Sequence, residues 1–181
     1  MFHQVPVLPV LPVVVPVAAA VVVILLWALR RRELLTGRRA AVALAVGVYV
    51  AGVLANTVFP IFLDKPSADQ PWDTYLNLVP LAGYEVRDAV INIVVFVPLG
   101  ILVPLFLPRA RWWSVLGLGA GSSLLIEVVQ YVTARLLGGG HVADVNDLLF
   151  NVLGAALGLA LLGAATRRPR ARSTIDGFRW R

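Results

Sequence analysis

The 181-residue chain contains no cysteine, which excludes disulfides, thiolate catalysis and Cys-ligated metals together. Charge is also scarce, at 14% Asp, Glu, Lys and Arg against the roughly one quarter usual in soluble domains. With 59% hydrophobic residues and a mean hydropathy of +0.83, that scarcity excludes a disordered tail, a disulfide-stapled module and an ordinary soluble enzyme. What is present in quantity is apolar sequence in runs of about 20 residues, the length a bilayer-spanning helix needs at about 1.5 Å rise per residue. The composition therefore predicts an all-α integral membrane protein: a bundle of about five transmembrane helices with an interfacial outer loop.

Five spans emerge, at about Val10–Leu29, Ala40–Leu63, Ala89–Leu107, Trp112–Leu137 and Leu148–Thr166. No basic region or cleavage pattern accompanies the first run, so it is read as a retained helix and not as a signal peptide. Pro6, Pro9, Pro12 and Pro16 predict an irregular outer end for it, with regular helix from about Pro16. The chain divides into residues 1–39, a first helix and basic loop; residues 40–166, a four-helix membrane domain; and residues 167–181, a basic tail.

The sequence pI of about 10.7 does not point to nucleic acid, because 13 of the 16 basic residues sit in three clusters at the ends of apolar runs. Arg30 to Arg39, Arg109 with Arg111, and Arg167 to Arg181 all fall on one side if the N-terminus is outside. The positive-inside rule makes that side the cytoplasm and places the C-terminus there. The other side is acidic, with Asp64, Asp69, Asp73, Glu85, Asp88, Asp144 and Asp147. The loop from Asp64 to Asp88 carries Trp72, Tyr75 and several leucines, a composition suited to the outer headgroup layer. The tail, with Phe178 and Trp180 among its arginines, is expected to rest on anionic inner-leaflet lipid.

Polar side chains within the spans carry the functional argument, because each costs a few kcal/mol in hydrocarbon unless it is paired or faces a cavity. In the fourth span Gly119, Ser123, Glu127, Gln130 and Ala134 recur at helical spacing and form one small-and-polar stripe. In the fifth, Asp144, Asp147, Asn151, Gly154 and Gly158 do the same. The third holds Asn92 one turn from its outer end, then Pro98, which removes a hydrogen-bond donor in mid-helix and predicts a bend beside Gly100. Gly117–Gly121 and Gly154–Gly158 are both GxxxG spacings, which let a neighbouring backbone approach. Counted from the outer ends, Asn92, Asn151, Gln130 and Glu127 lie about 5 to 15 Å deep, all in the outer leaflet. One polar pocket open to that leaflet, bound by Asn92, Glu127, Gln130, Asp144, Asp147 and Asn151, is the economical expectation. The inner halves are apolar, which disfavours a channel or transporter.

Each group also has a structural explanation. Glu127 and Gln130 serve equally as interhelical hydrogen-bond glue, Asp144 and Asp147 as helix caps, and Asn92 as a partner of its own backbone.

These residues, in order, resemble the VanZ-like family of membrane proteins, named for an accessory determinant of teicoplanin resistance. Asn92, then Phe96, Pro98 and Gly100, then Glu127 and Gln130, then Asp144, Asp147, Asn151 and Gly154 follow the family pattern, and Asn77-Leu78-Val79-Pro80 resembles its opening motif. The likeness runs from about Ala40 to Gly163. His141 stands where many members carry Arg. The resemblance implies a role at the bacterial cell surface in reduced teicoplanin susceptibility, and it implies no known reaction.

Three functions fit these observations. The first is binding of an amphiphile, either a lipid-linked envelope precursor or an acylated glycopeptide, alongside membrane lipids. The second is intramembrane modification of an envelope lipid, with Glu127, His141, Asp144 and Asp147 as catalytic candidates. The third is a structural or partner-binding protein. No cofactor, resident metal or nucleic-acid partner is expected.

Overall fold

The computed structural model describes residues 8–57, 59, 61, 71–137 and 142–181. Five long helices, each long and apolar enough to cross a membrane, make the chain a multi-pass integral membrane protein. They are α1 (Leu11–Arg31), α2 (Gly37–Thr57), α3 (Val86–Phe106), α4 (Trp112–Leu137) and α5 (Val145–Thr166). A short sixth helix, α6 (Pro169–Asp176), follows.

Helix α1 starts at Leu11 and not near Pro16. Pro12 occupies the first turn, where a missing N–H has no intrahelical partner to lose, and Pro16 is carried inside the helix. Arg30 and Arg31 close its last turn, where positive charge complements the helix dipole. Glu33 then turns the chain in the left-handed region, at φ 57°. Helix α3 runs through both Pro98 and Pro104, and helices α3 and α5 each begin three residues earlier than the apolar runs suggest.

The most extensive helix pair is α3 with α5, followed by α1 with α2 and α4 with α5. Glycine sets the closeness of the first pair. A Cβ at Gly154 would strike the Ile93 carbonyl, one at Gly158 the Val97 carbonyl, and one at Gly100 the Ala155 carbonyl. The second GxxxG does not behave this way: Gly117 and Gly121 have no neighbour that an added Cβ would meet, and Gly119 is the α4 glycine that faces α5. Phe96, Leu99, Val103, Val115 and Ala155 fill the core between α3, α4 and α5.

A second core lies at the arginine-rich end, where Trp180 is buried with Leu29, Val42 and Ala43. Its backbone N–H donates to the Leu105 carbonyl at 2.9 Å. Arg39 donates to the carbonyls of Leu34, Arg179 and Arg181. The expectation that the tail's aromatic residues rest on lipid is corrected for Trp180, which anchors in the bundle, while Phe178 is half-buried beneath the Arg38 guanidinium. The arginines of α6, Arg170 and Arg172, remain exposed.

At the opposite end, residues 71–85 fold back over the helix termini. A two-residue strand, β1 (Leu76–Asn77), pairs in parallel with β2 (Ala143–Asp144). Tyr131 Oη donates to the Trp72 carbonyl at 3.0 Å, and Arg135 Nη1 to that of Pro71 at 3.3 Å. Trp72, Leu78, Val79 and Leu81 are exposed.

Candidate functional site

The polar stripe of α4 is its inward face. Gly119, Ser123, Glu127, Gln130 and Ala134 are all buried, whereas the leucines and valines between them, Leu124, Leu125, Val128 and Val132, face out. On α5 the buried positions are Asn146, Asn151, Gly154, Ala155, Gly158 and Leu162. The two faces meet at the end where α5 begins, beneath the β1–β2 pair.

Asp144 is the centre of the arrangement. Its backbone N–H donates to Glu127 Oε2 at 2.7 Å. Its carboxylate accepts from the Asn146 N–H at 2.7 Å, which caps α5, and from Asn77 Nδ2 at 3.0 Å. One residue thus ties α4, the start of α5 and the folded-back loop. Asp147, in the first turn of α5, lies close enough to Asp144 and Asp88 for their charges to interact and hydrogen-bonds the Asn92 side chain.

Asn146 and Asn77 hold the loop from the other side. Asn146 Oδ1 accepts from the Leu81 N–H at 2.5 Å, and its Nδ2 donates to the Ala82 carbonyl at 3.1 Å. Asn77 Nδ2 reaches the same carbonyl at 3.2 Å. Leu81 sits at φ 59° in the left-handed region, a conformation costing a non-glycine residue about 1–2 kcal/mol. Such backbone persists where its surroundings over-determine it, and these amide contacts do so here.

Two cavities flank Asp144. The first, of about 450 Å³, is lined by Asn92, Gln130, Asp144 and Asp147, with Asn56, Glu85 and Asp88 also on its wall. The second, of about 230 Å³, is walled by Leu76, Leu78, Leu124, Val128, Val145 and Leu148, with Glu127 and Asp144 at its polar edge. The expected single pocket is therefore divided. Glu127 belongs to the apolar cavity, and Asn151 lines neither, being buried with Nδ2 donating to Ser123 Oγ at 2.9 Å. The division follows from β2, which passes between the two spaces and takes the Glu127 carboxylate as its hydrogen-bond acceptor. Phe96, Gly100, Gly154 and Gly158 lie deeper, in the α3–α5 contact. His141 falls outside the described residues, and among the described residues no cluster of three or more His, Asp or Glu has metal-holding geometry.

No local sequence pattern marks Asn146 as the link to the folded-back loop, or Asn56, Glu85 and Asp88 as cavity-wall positions. Asn77 is marked only by the resemblance. Asn146 between two aspartates reads as turn chemistry, and its partners Leu81 and Ala82 are more than sixty residues away, beyond any local pattern.

Among known proteins, the model of the family described as VanZ/LLP1 matches residues 46–165, which include every residue lining the two cavities. Protein VanZ of Enterococcus faecium is 31% identical over 99 residues, covering 51% of this chain and 55% of that protein. The chain thus matches only about half the length of that curated relative. No solved structure is a significant match.

Proposed function

This chain belongs to the VanZ/LLP1 family, and from that premise we propose that it binds an envelope amphiphile, contributing to teicoplanin-type glycopeptide resistance. The ligand is a lipid-linked envelope component or the acyl tail of a lipoglycopeptide. The observation that carries this reading is the junction at Asp144 of a polar, acidic cavity and an apolar one, the shape an amphiphile requires. In this reading Asn92, Gln130 and Asp147 orient the polar head, and the leucines of β1, the adjoining loop and α4 receive apolar carbon. Glu127 and the Asp144 backbone hold the wall between the two spaces. Asn151 supports the site indirectly, through Ser123 on α4.

The chain resides in the bacterial plasma membrane with this end outside, so the ligand enters from the outer leaflet. The concentration of arginine at the opposite end supports that orientation.

The test compares wild type with Gln130→Leu and Asp147→Asn. Each protein, purified in detergent, is assayed for co-purifying lipid by native mass spectrometry, and the expressing cells for teicoplanin and vancomycin susceptibility. Wild type is expected to retain an amphiphile that both variants lose. It should also protect against the acylated drug more than against the non-acylated one. Equal protection against both drugs would count against a tail-binding role.

A further inference from the structure

A cavity of about 740 Å³ lies at the arginine-rich end, where the α1–α2 turn, the α3–α4 turn and the end of the tail converge. Arg32, Arg109 and Arg181 line it, together with Ser114, Phe106 and Trp180. These arginines are not equivalent. Arg181 is neutralised by Asp176 at 2.9 Å. Outside the cavity, Arg39 is occupied by three backbone carbonyls, and Arg31 and Arg111 lie over Trp27 and Trp113. Arg32 and Arg109 have no ion pair, side-chain hydrogen bond or ring contact among the described residues. The acidic residues at this end are Glu33, which pairs with neither arginine, and Asp176, which is engaged by Arg179 and Arg181.

Two uncompensated arginines lining one cavity form a site for a phosphoryl group, since each guanidinium offers a planar fork of donors to anionic oxygens. Ser114 supplies a further donor, and Phe106 and Trp180 offer apolar surface for glycerol and the first acyl carbons. Basic pockets between transmembrane helices have this chemistry when they seat phospholipid heads. We propose that this cavity binds the phosphate head of an anionic phospholipid, at the end of the molecule opposite the amphiphile site. Arg32, Trp180 and Arg181 lie outside the family-matched segment, so the site belongs in part to this chain's own flanking segments.

The full chain in detergent, titrated with short-chain phosphatidylglycerol or phosphatidylcholine and followed by native mass spectrometry, tests the assignment. Wild type should prefer the anionic lipid. Arg32→Gln/Arg109→Gln should weaken that lipid roughly 30-fold, at about 1 kcal/mol for each arginine. Arg168→Gln/Arg170→Gln removes the same charge from positions that are exposed, as Arg32 and Arg109 are, but line no described cavity, and should change binding by less than about twofold. Equal losses in the two pairs would reduce the effect to diffuse attraction and overturn the site. Ser114→Phe keeps every charge, removes one donor and intrudes a ring into the cavity, so it tests the space independently of arginine loss. Wild-type retention of phosphatidylglycerol in Ser114→Phe would also overturn the proposal. So would competition by glycerol phosphate matching that of the short-chain lipid, which would assign the cavity to a soluble phosphate instead.

Discussion

Glu127 accepts the Asp144 N–H at 2.7 Å while only 7% exposed, so its replacement separates structural from ligand-binding roles. Removing the acceptor in Glu127→Ala leaves a partly buried N–H unsatisfied, at a cost of about 1–3 kcal/mol. Glu127→Gln retains a carbonyl oxygen for that N–H and exchanges the other carboxyl oxygen for an amide nitrogen. Thermal unfolding in detergent should therefore rank wild type and Glu127→Gln close together, with Glu127→Ala clearly lower. Indistinguishable melting of all three would show that the bond contributes nothing to the fold. At this scale the sequence was legible where a side chain was expensive: Glu127, Asn151 and Asn92 within apolar helices each demanded a partner, and each has one, in the Asp144 N–H, Ser123 and Asp147. It was not legible where the partner is remote, as for Asn146. Nor could helical spacing reveal that β2 would pass between Gln130 and Glu127 and put them in different cavities.

Single residues act through the helices that carry them, and the two GxxxG spacings show how differently identical patterns behave. On α5, Gly154 and Gly158 face carbonyls of α3, and backbone does not yield as the tip of a side chain does. Gly158→Ala should cost about 1–3 kcal/mol through overpacking, read as a lower midpoint in detergent unfolding. On α4, Gly117 and Gly121 meet nothing, so Gly117→Ala should leave the midpoint unchanged or raise it slightly, as alanine favours helix over glycine. A destabilised Gly117→Ala would assign that face a contact beyond this single chain. Spacing alone gives both motifs the same reading; the inward face of α4 is instead marked by its polar stripe, which passes through Gly119. The helices themselves were legible from apolar length, to within three residues at their ends, except that α2 ends at Thr57 where the apolar run continues to Leu63, a position outside the described residues. The β1–β2 pair was not, because a two-residue ladder between Leu76 and Ala143 has no periodicity to detect.

At the scale of the whole molecule, alternation of five spans collects the arginine clusters at one end and the acidic cavity at the other. Trp180 shows the limit of reading such an end from composition: an aromatic ring among arginines suits a headgroup layer, yet this one has an apolar niche formed by α1 and α2. The proposed orientation of the bundle rests on the charge, since thirteen arginines against Glu33 and Asp176 leave the basic end at +11. Translocating that end would oppose the positive-inside bias at every loop it contains. Absence of cysteine makes the consequence measurable, because any thiol introduced is unique. Asp73→Cys lies in the loop at the cavity end and Ser173→Cys on α6, and both positions are exposed. A membrane-impermeant maleimide should label Asp73→Cys in intact cells and Ser173→Cys only after the membrane is opened. The reverse pattern would turn the acidic cavity toward the cytoplasm, where an extracellular lipoglycopeptide does not reach it. The amphiphile reading would then fail on topology alone, whatever the cavity's shape. The phospholipid site would survive that result, since its arginines act on whichever leaflet they face, so labelling also separates the two proposals.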